Sequence, residues 1–242
     1  MPGLSLIVPC LNEAASLPAL VERARAALRD PGLGAAGARE LVLIDDGSTD
    51  DTWPWIERQR RAFPELRAVR HTQTRGIPAA WRSGLAEARG ESICVIDADL
   101  QYEPEEVPRL WAARAETSAD IVQGVRSERE RRRDLRFVLS RGLSGLLNVS
   151  FGMSSRDNKS GFFLCRRQVF ADLLDYRGAY RHWQCFVMVA AHSRGYRIHQ
   201  VDTPFHPRRA GRSAFGTLAL GPALGVAADL LTALREYRPV RR

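Results

Sequence analysis

The chain has 242 residues, of which 45% are hydrophobic and 26% are charged, and its net charge is +8. This composition suits one folded domain with a buried core and excludes an intrinsically disordered chain. The excess of arginine favours an anionic partner, which is nucleic acid, a membrane surface or a phosphate-bearing substrate. No zinc-finger, basic-zipper or aromatic RNA-binding signature is present, so we expect no nucleic-acid partner.

The amino-terminal half shows alternating strand and helix patterns. Short apolar runs predict strands at residues 4–8, 41–44, 66–70, 92–96 and 121–125. Apolar residues at helical spacing, with capping residues before them, predict helices at 13–28, about 50–62, 78–88 and 104–116. This alternation predicts an α/β fold with a mostly parallel sheet and helices on both faces.

The second half is less regular. It opens with an arginine-rich stretch at 126–141, and leucines at helical spacing follow up to residue 147. Strands are predicted at 161–165 and 196–201, with a helix at 185–192 between them.

Features of secreted or membrane-spanning proteins are weak in this sequence. The first ten residues, MPGLSLIVPC, lack the charged region and the longer apolar core of a signal peptide. Residues 214–228 carry no charge, but three glycines and a proline interrupt them, which favours a surface helix over a membrane span. The four cysteines form no CxxC pair, so we expect buried, reduced thiols. The expected location is the cytoplasm, with peripheral attachment at the inner face of the membrane.

Acidic residues follow two of the predicted strands. Asp45 and Asp46 come after the second strand, and Asp97 and Asp99 after the fourth. Ligands of parallel sheets bind beyond the carboxyl ends of the strands. Two carboxylates two residues apart in extended backbone point the same way, and such oxygen ligands suit Mg²⁺ or Mn²⁺ shared with substrate phosphates. Gln101 would add an amide oxygen, whereas the alternative is a solvated, helix-capping acidic loop.

Six segments place these residues in a wider pattern. They are IVPCLNE (7–13), IDDGSTDDT (44–52), RGIPAAWRSGLAEARGE (75–91), VIDADLQYEPEEV (95–107), SGFFLCRR (160–167) and RRAGRSAFG (208–216). In this order they resemble the family 2 glycosyltransferases, and most of all dolichyl-phosphate mannose synthases and bacterial polyprenyl-phosphate glycosyltransferases. The resemblance covers nearly the whole chain. It implies a Rossmann-like GT-A domain at 1–213, with a nucleotide-binding half (about 1–126), an acceptor half (about 127–213) and a helical tail at 214–242 that contacts a membrane or a partner.

The resemblance also implies roles for individual residues on the donor side. The expected donor is a GDP- or UDP-linked sugar. The implied nucleotide contacts are Pro9, Leu11, Glu13, Asp46, Asp97 and Ala98. The implied ligands of Mg²⁺ or Mn²⁺ are Asp99, Gln101 and Asp97, with Asp97 nearer the nucleotide-sugar.

Arginines are implied as the groups that meet phosphate. Arg126 and Arg208 join Asp97 and Asp99 in the implied catalytic set, and Arg136 is a second arginine at the start of a helix. Arg208, Gly211 and Ser213 match a mobile basic loop of the family. This chain departs from the family pattern at Ala214, where relatives usually carry lysine, and Arg212 is the nearest replacement for that charge.

The resemblance and the basic surface together favour inverting transfer to a polyprenyl phosphate. A phosphate acceptor arrives ionised and needs no general base. Residues 180–186, YRHWQCF, contain no carboxylate where hydroxyl-glycosylating relatives usually place one. Asp157 matches a family acid near the acceptor. The alternatives are transfer to a hydroxyl of a small molecule, glycolipid or polysaccharide, assisted by His182 or Asp157, and a catalytically inactive nucleotide-binding or interaction module.

Overall fold

The computed structural model describes residues 3–34, 37–127, 135–207 and 220–237. The strands are β1 (Leu4–Cys10), β2 (Arg39–Asp45), β3 (Leu66–Arg70), β4 (Ser92–Val95), β5 (Ile121–Arg126), β6 (Phe163–Arg166) and β7 (Ile198–Thr203). The helices are α1 (Leu17–Arg29), α2 (Thr52–Ala62), α3 (Ile77–Glu87), α4 (Val107–Thr117), α5 (Leu135–Phe151), α6 (Arg167–Leu174), α7 (Val187–Ser193) and α8 (Leu220–Glu236). The predicted alternation of strands and helices is therefore confirmed.

The seven strands form one sheet in the order β3-β2-β1-β4-β6-β5-β7. Only β6 runs against its neighbours, so the sheet is mostly parallel, as predicted. Cys10 pairs with Asp45, so β1 and β2 end level with each other. Ile7 pairs with Val95, which brings the end of β4 to the same edge. The loops that follow these three strands therefore emerge side by side.

The central strands are buried on both faces. Alternate residues of β1, β2 and β4 belong to two different hydrophobic clusters, as expected where side chains alternate across a sheet. One cluster contains Trp81 of α3, whose ring meets Phe163 at 5.8 Å and Trp183 at 6.3 Å between centroids. All four cysteines are free and buried, which confirms the expectation of reduced thiols.

Several boundaries differ from the predictions. Helix α1 begins at Leu17 rather than residue 13, because Glu13 and Ser16 form a turn that precedes it. Strand β4 ends at Val95, before the acidic residues. Helix α6 was not predicted, since it is only eight residues long and follows β6 without a linker. Within the described ranges, no helix is long and apolar enough to cross a membrane.

Candidate active site

The loops after β1 and β2 are joined into one unit. The Asn12 amide donates to the Ser48 hydroxyl (2.9 Å), and the Thr49 amide donates to the Asn12 side-chain oxygen (2.9 Å). The Glu13 amide donates to the Thr52 hydroxyl (2.9 Å). Two of the predicted nucleotide contacts, Pro9 and Leu11, lie partly exposed at this junction. The side chain of Glu13 is largely buried and accepts a hydrogen bond from Ser16 (2.7 Å), so it also stabilises the turn before α1.

Asp46, another predicted nucleotide contact, organises the loop between β3 and α3. Its carboxylate accepts hydrogen bonds from the backbone amides of Arg75 (2.9 Å) and Gly76 (2.8 Å). One of its oxygens also lies 2.6 Å from Nδ1 of His71, whose Nε2 lies 2.8 Å from the Ser83 hydroxyl. His71 is buried and belongs to none of the six motif segments, so it was not predicted as a site residue. Asp46 therefore acts first as the anchor of this loop.

A glycine is required at position 47, where the loop after β2 meets the loop between β3 and α3. Its φ is +79°, and a Cβ at this position would lie 2.4 Å from the carbonyl carbon of Gln73 and 2.5 Å from the amide nitrogen of Thr74. We expect Gly47→Ala to lower the free energy of unfolding by about 3 kcal/mol through backbone strain and overlap with backbone atoms. Gly195→Ala is the control, because Gly195 has the same φ of +79° but nothing within 4 Å of the added atom. The control should lose about 1 kcal/mol in urea denaturation, and equal losses would contradict the steric argument.

The Asp97–Gln101 segment is a turn rather than extended strand, which corrects the sequence argument for parallel carboxylates. Leu100 adopts a positive φ of 58°, and the Gln101 amide donates to the Asp99 carboxylate (3.0 Å). The chain therefore turns after the strand end at Val95, and the carboxylates lie in the turn. Asp99 and Ala98 are buried, whereas Asp97 is partly exposed.

Asp97 is also in contact with the segment before β6. A Cβ added at Gly161 would lie 3.4 Å from Asp97 Oδ2, so the glycine lets this backbone approach the carboxylate. Among the described residues, no three His, Cys, Asp or Glu side chains are grouped closely enough to hold a metal ion by themselves. The side-chain oxygens that this turn presents as metal-ligand candidates are those of Asp97, Asp99 and Gln101.

The strand-end segment after β7 is attached to the same turn. The His206 amide donates to the Gln101 carbonyl (2.9 Å), and the Gln101 side-chain amide donates to the His206 carbonyl (3.2 Å). Arg208 follows two residues later in the chain. Arg208 itself lies outside the described residues, as do Gly211, Arg212, Ser213 and Ala214.

Arg126 and Asp157 form a buried ion pair. Arg126 donates from Nε to Asp157 Oδ2 (2.7 Å) and from Nη2 to Oδ1 (3.2 Å). The Asp157 side chain is 2% exposed. Burial opposes the charge of Arg126, but the hydrogen bonds and charge of Asp157 outweigh it and raise the pKa of Arg126. These two predicted site residues therefore neutralise each other in this structure. Arg136 lies in α5, and its side chain is outside the described part of the chain.

Helix α8 supplies a carboxylate to residues 180–186, a segment that contains no acidic residue of its own. Asp229 accepts hydrogen bonds from the backbone amides of Arg181 (3.0 Å) and His182 (2.6 Å), and its Oδ2 lies 3.6 Å from His182 Nδ1. Seven residues on, Glu236 accepts from the amides of Arg177 and Gly178. In the sequence, Asp229 is recognisable only as a single acidic residue within an apolar run. Its pairing with His182 was missed because 47 residues separate the two.

We expect Asp229→Ala to lower the free energy of unfolding by about 2–3 kcal/mol, because two backbone amides lose their acceptor in a buried place. Leu231→Ala is the control on the same helix, since its side chain is 59% exposed and its loss should change stability by less than about 0.5 kcal/mol. Thermal and urea denaturation provide the measurement. Losses of equal size in the two variants would show that α8 is not held by this carboxylate.

Solved structures with a similar fold are glycosyltransferases of GT-A architecture. Glucosyl-3-phosphoglycerate synthase from Mycobacterium tuberculosis, in complex with Mn²⁺, UDP and phosphoglyceric acid, matches with a TM-score of 0.69 and 22% identity, over 99% of this chain and 80% of that one. A mannosyltransferase from Pyrobaculum calidifontis, in complex with GDP-Man and Mn²⁺, matches with a TM-score of 0.65 and 19% identity, over 97% and 63%. The GT-A expectation is therefore confirmed.

Curated relatives with higher identity are named undecaprenyl-phosphate 4-deoxy-4-formamido-L-arabinose transferase. The protein from Shewanella sediminis is 33% identical over 96% of this chain. The protein from Pseudomonas savastanoi pv. phaseolicola is 30% identical, again over 96% of this chain. The chain spans 65–66% of the length of these two relatives.

Most of the chain matches a protein-family model. Residues 5–174 match the model described as glycosyl transferase family 2, a range that includes the loops after β1, β2 and β4 and the Arg126–Asp157 pair. With this match, the chain belongs to glycosyl transferase family 2.

Proposed function

We propose that this protein transfers a sugar from a nucleotide-sugar to a polyprenyl phosphate, with inversion at the anomeric carbon. The observation that carries the proposal is the Asp97–Gln101 turn. It lies at the sheet edge where the loops after β1 and β2 also emerge, in a chain of glycosyl transferase family 2. Relatives named for sugar transfer to undecaprenyl phosphate support the acceptor class.

The residues of the turn fit a divalent cation. Mg²⁺ and Mn²⁺ are usually held by one or two carboxylates together with substrate phosphates, rather than by a complete set of protein ligands. Asp97 and Asp99 provide such a pair, and Gln101 adds an amide oxygen beside it. When bound, the ion would stabilise the charge of the leaving diphosphate.

The chain's own residues hold the donor and the leaving group. In this proposal, the joined loops with Pro9, Leu11, Glu13 and Asp46 bind the nucleotide, and Asp97 with Ala98 lies against the nucleotide-sugar. Arg126 keeps its direction through Asp157, which also balances its charge, so in this proposal the guanidinium meets phosphate as a hydrogen-bond donor rather than as added positive charge. Arg208 lies outside the described residues, and its proposed role beside the diphosphate rests on the RRAGRSAFG motif.

The acceptor proposal rests on charge as well as on the relatives. A phosphate attacks without a general base, and the chain has 36 basic against 28 acidic side chains. Four large hydrophobic side chains are markedly exposed in the described residues, and all lie on α5 and α8: Leu146, Val149, Leu231 and Leu234. We propose that these helices contact the membrane surface that holds a lipid-linked acceptor.

A hydroxyl acceptor is the second candidate, and one observation favours it. Asp229 accepts the backbone amide of His182 (2.6 Å) and lies 3.6 Å from its Nδ1, so it positions the residue whose imidazole would serve as the general base. Asp157 supports this candidate less, since Arg126 already engages both of its oxygens.

The deciding experiment measures product formation from a panel of UDP- and GDP-sugars with Mn²⁺. The acceptors are a polyprenyl phosphate in vesicles, soluble hydroxyl compounds and water. Our proposal predicts a sugar-phosphate lipid product, and the lipid product should disappear when EDTA removes the metal. If product formed only on soluble hydroxyl compounds, transfer to a hydroxyl would replace our proposal. Nucleotide-sugar binding without any turnover would identify an inactive binding module.

A further inference from the structure

Tyr102 is a buried tyrosine whose hydroxyl makes no hydrogen bond within the described part of the chain. The residue is 3% exposed. Its ring packs against Phe162, at 5.4 Å between centroids, and edge-on against Phe205, at 5.0 Å. The Ser160 hydroxyl approaches that of Tyr102, but it donates instead to the Gly124 carbonyl (2.5 Å) and accepts from the Phe162 amide (3.3 Å).

The ring lies between the two charged parts of the site. Phe205 also carries the guanidinium of Arg126, 5.1 Å from its centroid, so Tyr102 and the Arg126–Asp157 pair share one aromatic neighbour. On the other side, Phe162 directly follows Gly161, whose backbone lies against Asp97. Tyr102 is thus in the wall that connects the acidic turn to the ion pair.

The hydroxyl is a neutral donor in this position. A tyrosine hydroxyl keeps its proton at physiological pH, because its ordinary pKa is about 10. The charges of Asp157, Arg126 and Asp97 all act on this hydroxyl, so it lies near all three. These neighbouring charges and the aromatic contacts of the ring place the hydroxyl at the same location.

Packing alone does not account for the hydroxyl. Most buried hydroxyls in proteins are hydrogen-bonded, because an unsatisfied one loses its bonds to water and gains nothing in return. Phenylalanine would fill the same space between Phe162 and Phe205 without that cost. A buried donor without a protein acceptor among the described residues is explained if its acceptor belongs to a substrate.

We propose that the Tyr102 hydroxyl donates a hydrogen bond to an oxygen of the bound substrates, in the space between Asp97 and the Arg126–Asp157 pair. The proposal rests on the proposed sugar transfer and adds a residue to its site. A neutral donor there would stabilise charge that develops on a substrate oxygen during transfer without adding net charge to the site.

The test is Tyr102→Phe, which removes one oxygen atom and keeps the ring. We expect kcat for the lipid-phosphate acceptor to fall about tenfold, which corresponds to the loss of one neutral hydrogen bond. The melting temperature should stay the same or rise, since the removed hydroxyl had no partner. A residue that only packs would give the same or a higher melting temperature with unchanged kcat.

Tyr196→Phe is the matched control. Its hydroxyl donates to Asp172 (2.9 Å), beside the opposite end of β7, so this variant should lose stability and keep the wild-type kcat. Wild-type kcat and KM in Tyr102→Phe would overturn the proposal while leaving the sugar transfer established. A wild-type protein without turnover on any acceptor would overturn the transfer itself, and the Tyr102 proposal with it.

Discussion

Replacing Asp99 with asparagine is expected to lower kcat at least 100-fold while the fold is retained. Asparagine keeps an oxygen for the Gln101 amide, which donates to Asp99 at 3.0 Å, so the turn is preserved. The change removes one negative charge from a buried position beside the proposed metal. Loss of one preorganised electrostatic group in an active site typically costs about 10²–10³ in rate. The measurement is initial rates with saturating donor, with circular dichroism as the check on folding.

Asp120→Asn is the control for Asp99→Asn. Asp120 also accepts a backbone hydrogen bond, from Arg197 (3.0 Å), but it precedes β5 at the amino ends of the parallel strands. Its replacement should leave kcat within about twofold, because it lies at the edge opposite to the proposed site. If Asp99→Asn retained near-wild-type turnover, the metal-binding role of this turn would be wrong.

Asp157→Asn is expected to be the most destabilising of the charge substitutions. It leaves the Arg126 guanidinium partly buried without its carboxylate, and breaking one side of a buried ion pair typically costs about 3–5 kcal/mol. Because Arg126 is still 21% exposed, we expect the lower end, about 3 kcal/mol, in urea denaturation. The side-chain oxygen of asparagine would still accept the hydrogen bond from the Lys159 backbone amide, which lies 3.1 Å from Asp157 Oδ1 in the wild-type protein. The effect on stability is therefore mainly electrostatic.

Asp202→Asn gives the comparison for an exposed pair. Arg156 contacts both oxygens of Asp202 at 2.8 and 2.9 Å, but these side chains are 48% and 55% exposed. This variant should lose less than about 1 kcal/mol. In addition, Arg126→Met in the Asp157→Asn background should recover stability, because the unpaired charge is gone. Equal losses for Asp157→Asn and Asp202→Asn would mean that the Arg126–Asp157 pair is effectively solvated.

The fold could be predicted from sequence because its signals are local. Apolar runs of four to six residues alternate with helical spacing, and each run became a strand of the sheet. The position of the acidic turn at the carboxyl edge followed from the same alternation. Boundaries failed where side chains bind nearby backbone, as Ser16 does before α1.

The site could be predicted only where its residues lie within motifs. Asp97, Asp99 and Gln101 are neighbours in sequence, and so are Asp46 and Gly47. The pairing of Arg126 with Asp157 spans 31 residues, and that of His182 with Asp229 spans 47, so neither has a local signal. Both depend on how β6 and α8 pack against the rest of the chain. Asp157, predicted near the acceptor, is for that reason also a structural partner of Arg126.

His71 and Tyr102 show a different limit. His71 lies in no motif, and Tyr102 lies within the VIDADLQYEPEEV segment at a position for which the motif implied no role. His71 reveals itself through its contacts with Asp46 and Ser83, and Tyr102 through a buried hydroxyl with no partner in the described residues. Such features require coordinates, because they depend on which atoms surround one side chain.

The central proposal is that Asp97 and Asp99 would hold a divalent cation, which would stabilise the charge on the diphosphate of a nucleotide-sugar. Isothermal titration of UDP- and GDP-sugars, with Mn²⁺ and with EDTA, tests it without requiring an acceptor. We expect Mn²⁺ to tighten binding of one nucleotide-sugar at least tenfold in the wild-type protein and to have no effect in the Asp97→Asn, Asp99→Asn double variant. Binding that is equally tight in Mn²⁺ and in EDTA, or a double variant that still responds to Mn²⁺, would contradict the claim.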